Sequence, residues 1–355
     1  MAATDVQGGT GRVLQSEQPK TPVTAQVQRR SQGGVLRIVR EVLFWLALAA
    51  AFVFFLFPLF WMLITSIKPR NEVTLLPPRY FPFFDFQPVL DNYQAVFTKA
   101  SELGTINQST TTRQGEISEF PAHLLNSVII AGSATVLAVL LGTLAAYAFS
   151  RFRVKGESDL LFFILSTRML PPIVVLVPIF LMFTKPFAFL GGVAAGIGDP
   201  GLKGFVEGIS QISLRESYIG ITLLYITVGL PFVVWMMKGF FDEIPKEYEE
   251  AAMLDGYSRV EAIWKIVIPE ALPAMLATAV FVLITAWNEF VFVQILNPSK
   301  ASTVPPFLYA IIGYGQIEWG RMAATSVVFL LPVVVFTFAV RNHLLRGVTF
   351  GAVRR

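Results

Sequence analysis

The chain has 355 residues, 54% of them hydrophobic and only 15% charged, with a net charge of +4 and a mean hydropathy of +0.61. That balance excludes an ordinary soluble globular domain and makes a lipid bilayer the natural solvent. With no cysteine and only two histidines, His123 and His343, disulfides, thiolate metal sites and thiol catalysis are excluded and little remains for metal binding.

Residues 1–36 are rich in Gln, Thr, Gly and Ser and bury little apolar surface, so they are expected to form a disordered cytoplasmic tail ahead of a membrane domain, 37–355. Arg29, Arg30, Arg37 and Arg40 act there as a topology signal or as contacts to anionic lipid. Uncharged runs at about 42–67, 124–150, 217–237 and 322–340 each reach the roughly 20 residues of a spanning helix. Two more runs, about 160–184 and 271–294, are interrupted only by Arg168 and Glu289, which makes six expected spans. Because hydrocarbon leaves no partner for a free backbone group and the runs lack the alternation of a barrel strand, the expected fold class is an all-α membrane protein. The first run lies too far from Met1, and is too long, for a cleaved signal peptide, so it should remain as an anchor.

With both termini inside, 17 of the 28 Lys and Arg face the cytoplasm, 10 face outward and Arg168 lies within a span, in keeping with the positive-inside rule. Lys68 and Arg70, just outside the first span, pull weakly the other way. The outer loops are then about 68–123, 185–216 and 300–321. The second carries seven glycines between Gly191 and Gly208, which suggests a flexible lid or interfacial segment rather than a helix.

Inside the third run, Arg168 falls near mid-bilayer, where an ionised group is costly unless it meets water or a partner. Pro171 and Pro172 follow and should bend the helix. Arg168 and Pro171 are therefore candidates for the solute path, with a structural tether as the competing role for the arginine. In the fifth run Trp287, Asn288 and Glu289 combine an aromatic face with an amide and a carboxylate, suited either to sugar hydroxyls or to bonds between helices. A pairing of Glu289 with Arg168 stays open.

The one long cytoplasmic loop, 242–270, reads DEIPKEYEEAAMLDGYSRVEAIWKIVIPE. Pro245 and the acids Glu247, Glu249 and Glu250 suit the first turn of a helix. Asp255, Gly256 and Tyr257 end that helix, glycine accepting the left-handed turn. Ser258 with Glu261 forms a capping box that opens a second helix, expected to run to about Val267 and stop at Pro269. The product is a helix, turn, helix elbow whose small residues Ala251 and Ala252 permit close approach of another surface. A plain amphipathic connector accounts for the helices but not for this order.

Glu250, Ala251, Ala252, three residues, Gly256, nine residues, then Ile266, Val267, Ile268 and Pro269 resemble the cytoplasmic signature of bacterial ABC importer permeases, with Ile268 where that family usually has Leu. Further stretches resemble the carbohydrate-importer, maltose-transport-like branch: Pro58 to Pro69, Asn126-Ser127, Ala145 to Arg151, Thr167 to Pro171, Trp287 to Phe290 and Gly347 to Val353. Residues about 99–118 and the Gly-rich loop look like insertions relative to that family. The resemblance implies the type I ABC importer permease fold, with the elbow as a coupling helix that docks on an ATP-binding subunit through Glu250, Ala251, Ala252, Gly256, Ile266 and Pro269. It further implies a second, non-identical permease, a dimer of ATP-binding subunits and an extracytoplasmic solute-binding protein. The setting would be a bacterial or archaeal plasma membrane and the cargo a sugar, oligosaccharide or polyol.

No Gly-Lys-Ser or Gly-Lys-Thr phosphate loop occurs, so the chain is expected to need no cofactor of its own, ATP being bound by the partner. A nucleic-acid partner is not expected. The competing classes are an ion-driven secondary carrier, which would often show inverted repeats and more intramembrane acids, and a permease for a non-carbohydrate solute. A membrane enzyme lacks a His cluster, a cysteine or an acid pair to work with.

Overall fold

A computed structural model describes residues 24–97, 120–187, 189–311 and 318–349. Expectations for 1–23, for the insertion at about 99–118 and for the end of the Gly347 to Val353 stretch lie wholly or partly outside these residues. The chain divides into two units, residues 1–60 and 61–355. Residues 24–60 of the first are one helix, the greater part of α1 (Thr24–Ser66), so the helix starts ahead of the expected boundary at 36/37.

Among the described residues of the second unit the helices are α2 (Asp91–Phe97), α3 (Phe120–Arg151), α4 (Glu157–Ser166), α5 (Pro172–Thr184), α6 (Phe189–Ala194) and α7 (Pro200–Ser210). They continue with α8 (Tyr218–Glu243), α9 (Glu247–Leu254), α10 (Arg259–Trp287), α11 (Val291–Leu296), α12 (Val304–Ile311) and α13 (Trp319–Thr349). Among the described residues the extended backbone pairs only in one isolated bridge, Pro82 with Phe86. The protein is an all-helical membrane protein. Among the described residues five helical stretches are long and apolar enough to cross a bilayer: Arg37–Ser66, Phe120–Arg151, Tyr218–Glu243, Arg259–Trp287 and Trp319–Arg341.

The third expected span differs from its sequence reading. It is broken into Glu157–Met169 and Pro172–Thr184, bent by 98° to one another, and makes a sixth crossing only if the pair counts as one. The cause is local: a residue before proline is driven out of helical geometry. Leu170 (ψ 124°) and Pro171 (ψ 131°) both precede a proline and both are extended. Pro172 then opens α5 at a position where its missing N–H costs nothing.

The Gly-rich outer loop also departs from expectation, for it holds α6 and α7. Asp199 accepts the Leu202 N–H at 2.7 Å and Pro200 occupies the first turn, so a cap and a proline start α7 despite its glycines.

The core is centred on α3, whose buried Ala134, Ala138, Gly142 and Ala146 recur every four residues along one face. Small residues at that spacing let spanning helices approach closely, and α3 with α8 is the most extensive helix pair in the molecule. Gly229 on α8 extends the same contact toward α10, where a Cβ in its place would lie 3.2 Å from Val282 Cγ1. At one end of this core, Asn126 donates to the Ser302 carbonyl (2.9 Å) and accepts the Tyr218 hydroxyl (2.6 Å), while Ser127 accepts the Val304 N–H (3.0 Å). These bonds tie the start of α3 to the loop before α12.

Candidate functional site: the elbow and the Arg168 cavity

The elbow begins after Pro245, with Glu247, Glu249 and Glu250 in the first turn of α9, where the helix dipole favours negative charge. At its far end Asp255, Gly256 and Tyr257 return N–H groups to the carbonyls of Ala251, Met253 and Ala252. Gly256 has φ +92°, and a Cβ placed on it would meet nothing within 4 Å. Glycine is therefore required there by backbone conformation and not by crowding. Ser258 and Glu261 form the reciprocal capping box: the Ser258 hydroxyl accepts the Glu261 N–H at 3.3 Å and the Glu261 carboxylate accepts the Ser258 N–H at 2.9 Å.

The second helix does not stop at Pro269. It continues into the long α10 through a wide π turn, Ile263–Val267, in which the Ile268 N–H reaches back to the Ile263 carbonyl. A proline ring normally clashes with the carbonyl four residues back, here that of Lys265, and the wider turn relieves the clash. Ile266 is half-buried and Pro269 exposed beyond that turn.

The faces of α9 divide sharply. Glu250 and Ala251 are exposed, whereas Ala252 is buried, so only one of the two alanines is free to meet another surface. The elbow also exposes large apolar side chains, Tyr248 (53%) and Leu254 (88%) on α9 with Ala251, and Val260 (62%) and Trp264 (58%) on the second helix. Large apolar side chains left open in this way are a feature of surfaces that other molecules cover.

Sequence reasoning missed Glu249. It is buried, and one carboxylate oxygen receives Arg151 Nε while the other receives the Tyr147 hydroxyl at 2.6 Å. The signal was present, since Glu249 and Ala252 stand three residues apart on one helix face, and Glu250 and Ala251 fall outside it.

Arg168 sits in the single turn Thr167–Met169 at the break of the third span. Its guanidinium lies 5.7 Å from the Phe232 ring and borders a cavity of about 310 Å³, lined also by Gly229, Phe281, Val282 and Thr285. Pro171 shapes the bend beside it. The cavity thus brings a cation and two aromatic rings, Phe232 and Phe281 with centroids 5.9 Å apart, against one wall of α8 and α10.

Trp287, Asn288 and Glu289 are not brought to this cavity. The fifth span was expected to reach 294, but α10 ends at Trp287 and the chain turns before α11. Trp287 is buried, stacks on Phe329 with centroids 4.9 Å apart and donates its indole N–H to the Phe329 carbonyl. Asn288 bonds back to the Ile284 carbonyl at 2.8 Å. Glu289 accepts the Tyr225 hydroxyl (3.0 Å) and the N–H groups of Phe292 (2.9 Å) and Val293 (3.3 Å), which caps α11 and ties it to α8. The Glu289 carboxylate is engaged there and not with Arg168.

Comparison with known proteins agrees with this architecture. Over 84% of this chain and 91% of the relative, the sequence is 30% identical to the trehalose/maltose transport system permease protein MalG of Thermococcus litoralis. It is 32% identical to the inner membrane ABC transporter permease protein YcjP of Escherichia coli, over 90% of this chain and 98% of that one. A crystal structure of a bacterial ABC transporter that imports the acidic polysaccharide alginate contains a chain matched with a TM-score of 0.61 and 19% identity, over 92% of this chain and all of that one, a likeness of fold. Residues 138–349, which include the elbow and the Arg168 cavity, match the family model for the inner membrane component of binding-protein-dependent transport systems, and the chain belongs to that family.

Proposed function

We propose that this permease imports a sugar, oligosaccharide or polyol as one of two non-identical membrane subunits, with ATP hydrolysed by a separate pair of subunits docked on the elbow. The observation that carries the docking is the exposed apolar surface of the elbow, Tyr248 and Leu254 on α9 with Val260 and Trp264 after the Ser258–Glu261 capping box. The class of cargo is supported by the trehalose/maltose permease among the relatives. The Arg168 cavity suits such a solute, with aromatic faces to stack on sugar carbons and a guanidinium to donate to oxygens.

An external solute-binding protein delivers the cargo, and both termini lie in the cytoplasm, which puts the elbow on the side where ATP is present. ATP-driven closure of the partner pair would move the elbow and turn the cavity outward, and hydrolysis would reset it. The experiment is reconstitution in liposomes. The chain alone should hydrolyse no ATP above background, and the assembly with its ATP-binding subunits, second permease and binding protein should take up maltose, trehalose, diacetylchitobiose or sorbitol from a test panel. Turnover of ATP by the isolated chain overturns the division of labour, and ATP-driven uptake of amino acids or phosphate but none of the sugars overturns the cargo class.

A further inference from the structure

We propose that Glu249 and Arg151 are positioning residues that fasten the elbow to the spanning helices, so that a movement of α9 is passed to α3 and α8 together. The inference rests on the docking role proposed for the elbow and adds the route by which force leaves it.

Arg151 closes the last turn of α3, and its guanidinium is shared among three elements. Nε donates to Glu249 on α9, one terminal nitrogen donates to the Phe241 carbonyl at 2.8 Å, and the other donates to the Ile244 carbonyl at 3.0 Å. Phe241 and Ile244 end α8 and begin the turn into the elbow, where carbonyls lose their helical partners. Tyr147, one turn earlier on α3, donates to the second oxygen of Glu249 at 2.6 Å. The side chains of Arg151 and Glu249 are only 4% and 8% exposed, so water does not compete for these bonds.

A buried ion pair is a poor source of stability, because desolvation offsets much of its attraction, but it does impose one geometry. Here that geometry spans the weak point of the chain. Residues 244–246, between α8 and α9, form a short turn that would otherwise absorb a displacement of α9. With Glu249 fixed to Arg151, the displacement reaches the end of α3 and the end of α8 at once. Helix α8 also carries Gly229 and Phe232, which line the Arg168 cavity, so a continuous packed route runs from elbow to cavity.

The test uses the full transporter assembly and needs no known cargo. The chain has no cysteine, so a single Thr285→Cys reports on the cavity through its rate of modification by a water-soluble methanethiosulfonate. In this reporter background ATP with vanadate should change the labelling rate at least fivefold. Adding Glu249→Gln, which removes the charge and keeps the shape, should reduce that change to less than twofold while ATPase activity of the assembly stays within twofold. Tyr147→Phe removes one hydrogen bond, keeps the ring, and decides the matter if Glu249→Gln fails to assemble; it should reduce the response by about half.

A full ATP response in the variant that assembles overturns the proposal, even if that variant is less stable. The same holds if labelling response and ATPase activity fall in parallel, because the pair would then serve docking or folding alone. If the reporter background itself shows no ATP response, or Ala251→Asp leaves association with the ATP-binding subunits unchanged, the docking role fails and this inference falls with it. When the background responds normally to ATP and Ala251→Asp loses association, the docking role stands and a full response in the Glu249 variant overturns this inference alone.

Discussion

Gly142 on α3 and Val233 on α8 meet with no room for a side chain on the glycine. A Cβ there would lie 2.6 Å from Val233 Cγ1 and 2.7 Å from Val233 Cβ, and Val233 is fully buried. Neither distance can be relieved without moving one spanning helix against the other. Gly142→Val should therefore damage the α3–α8 pair by overpacking, at a cost on the order of 1–3 kcal/mol. Gly132→Val is the control, because a Cβ on Gly132 meets nothing within 4 Å. Size-exclusion profiles and thermal unfolding of the two detergent-extracted variants check this: a lowered midpoint for Gly142→Val and a near-parental one for Gly132→Val are expected, and equal midpoints would contradict the packing account.

At the elbow, Gly256 combines φ +92° with open space, so the two usual reasons for a glycine separate. A β-branched residue there should be strained by about 1–3 kcal/mol. Gly256→Val is accordingly expected to reach the membrane in normal amount, associate weakly with the ATP-binding subunit and fail to import. Asn visits positive φ more readily than other residues with side chains, so Gly256→Asn should retain more association than Gly256→Val. Co-purification of the ATP-binding subunit with each variant gives the order, and equal retention by both would show that backbone strain is not what fixes the bend.

Arg168 faces the cavity through an aromatic contact, with no carboxylate within ion-pair reach among the described residues. If it acts on the solute, Arg168→Ala lowers uptake at least tenfold while assembled complex stays within twofold of the parent. Quantitative immunoblots of the complex alongside initial uptake rates make the comparison. Losses of uptake and complex in equal proportion would assign the arginine to assembly.

Much of this was legible in the sequence. The long apolar runs, the Ser258–Glu261 capping box and the turn at Gly256 are local signals, and local chemistry sets them. What the sequence left hidden depends on partners distant along the chain. The sequence leaves Trp287 and Glu289 open between sugar contacts and bonds between helices, and only Phe329 against the Trp287 ring and the Tyr225 hydroxyl on Glu289 show the second arrangement. Glu249 looks like one more acid of a helix start until Arg151, far earlier in the chain, proves to be its partner. Pro269 misleads for a different reason, because the π turn at Ile263–Val267 that accommodates it has no signature in composition.

The account turns on the elbow being the surface that meets the ATP-binding subunit. Because the chain has no native cysteine, single cysteines at Leu254, which is 88% exposed on the elbow, and at Phe84, which is 92% exposed in the loop after α1, can each carry a benzophenone maleimide in the assembled transporter. After irradiation, mass spectrometry of the cross-linked peptides identifies what each probe touches. The account predicts that Leu254→Cys cross-links to the subunit that carries the phosphate-binding loop and that Phe84→Cys does not. Cross-links to that subunit from Phe84→Cys, with none from Leu254→Cys, would contradict both the docking surface and the orientation of the chain in the membrane.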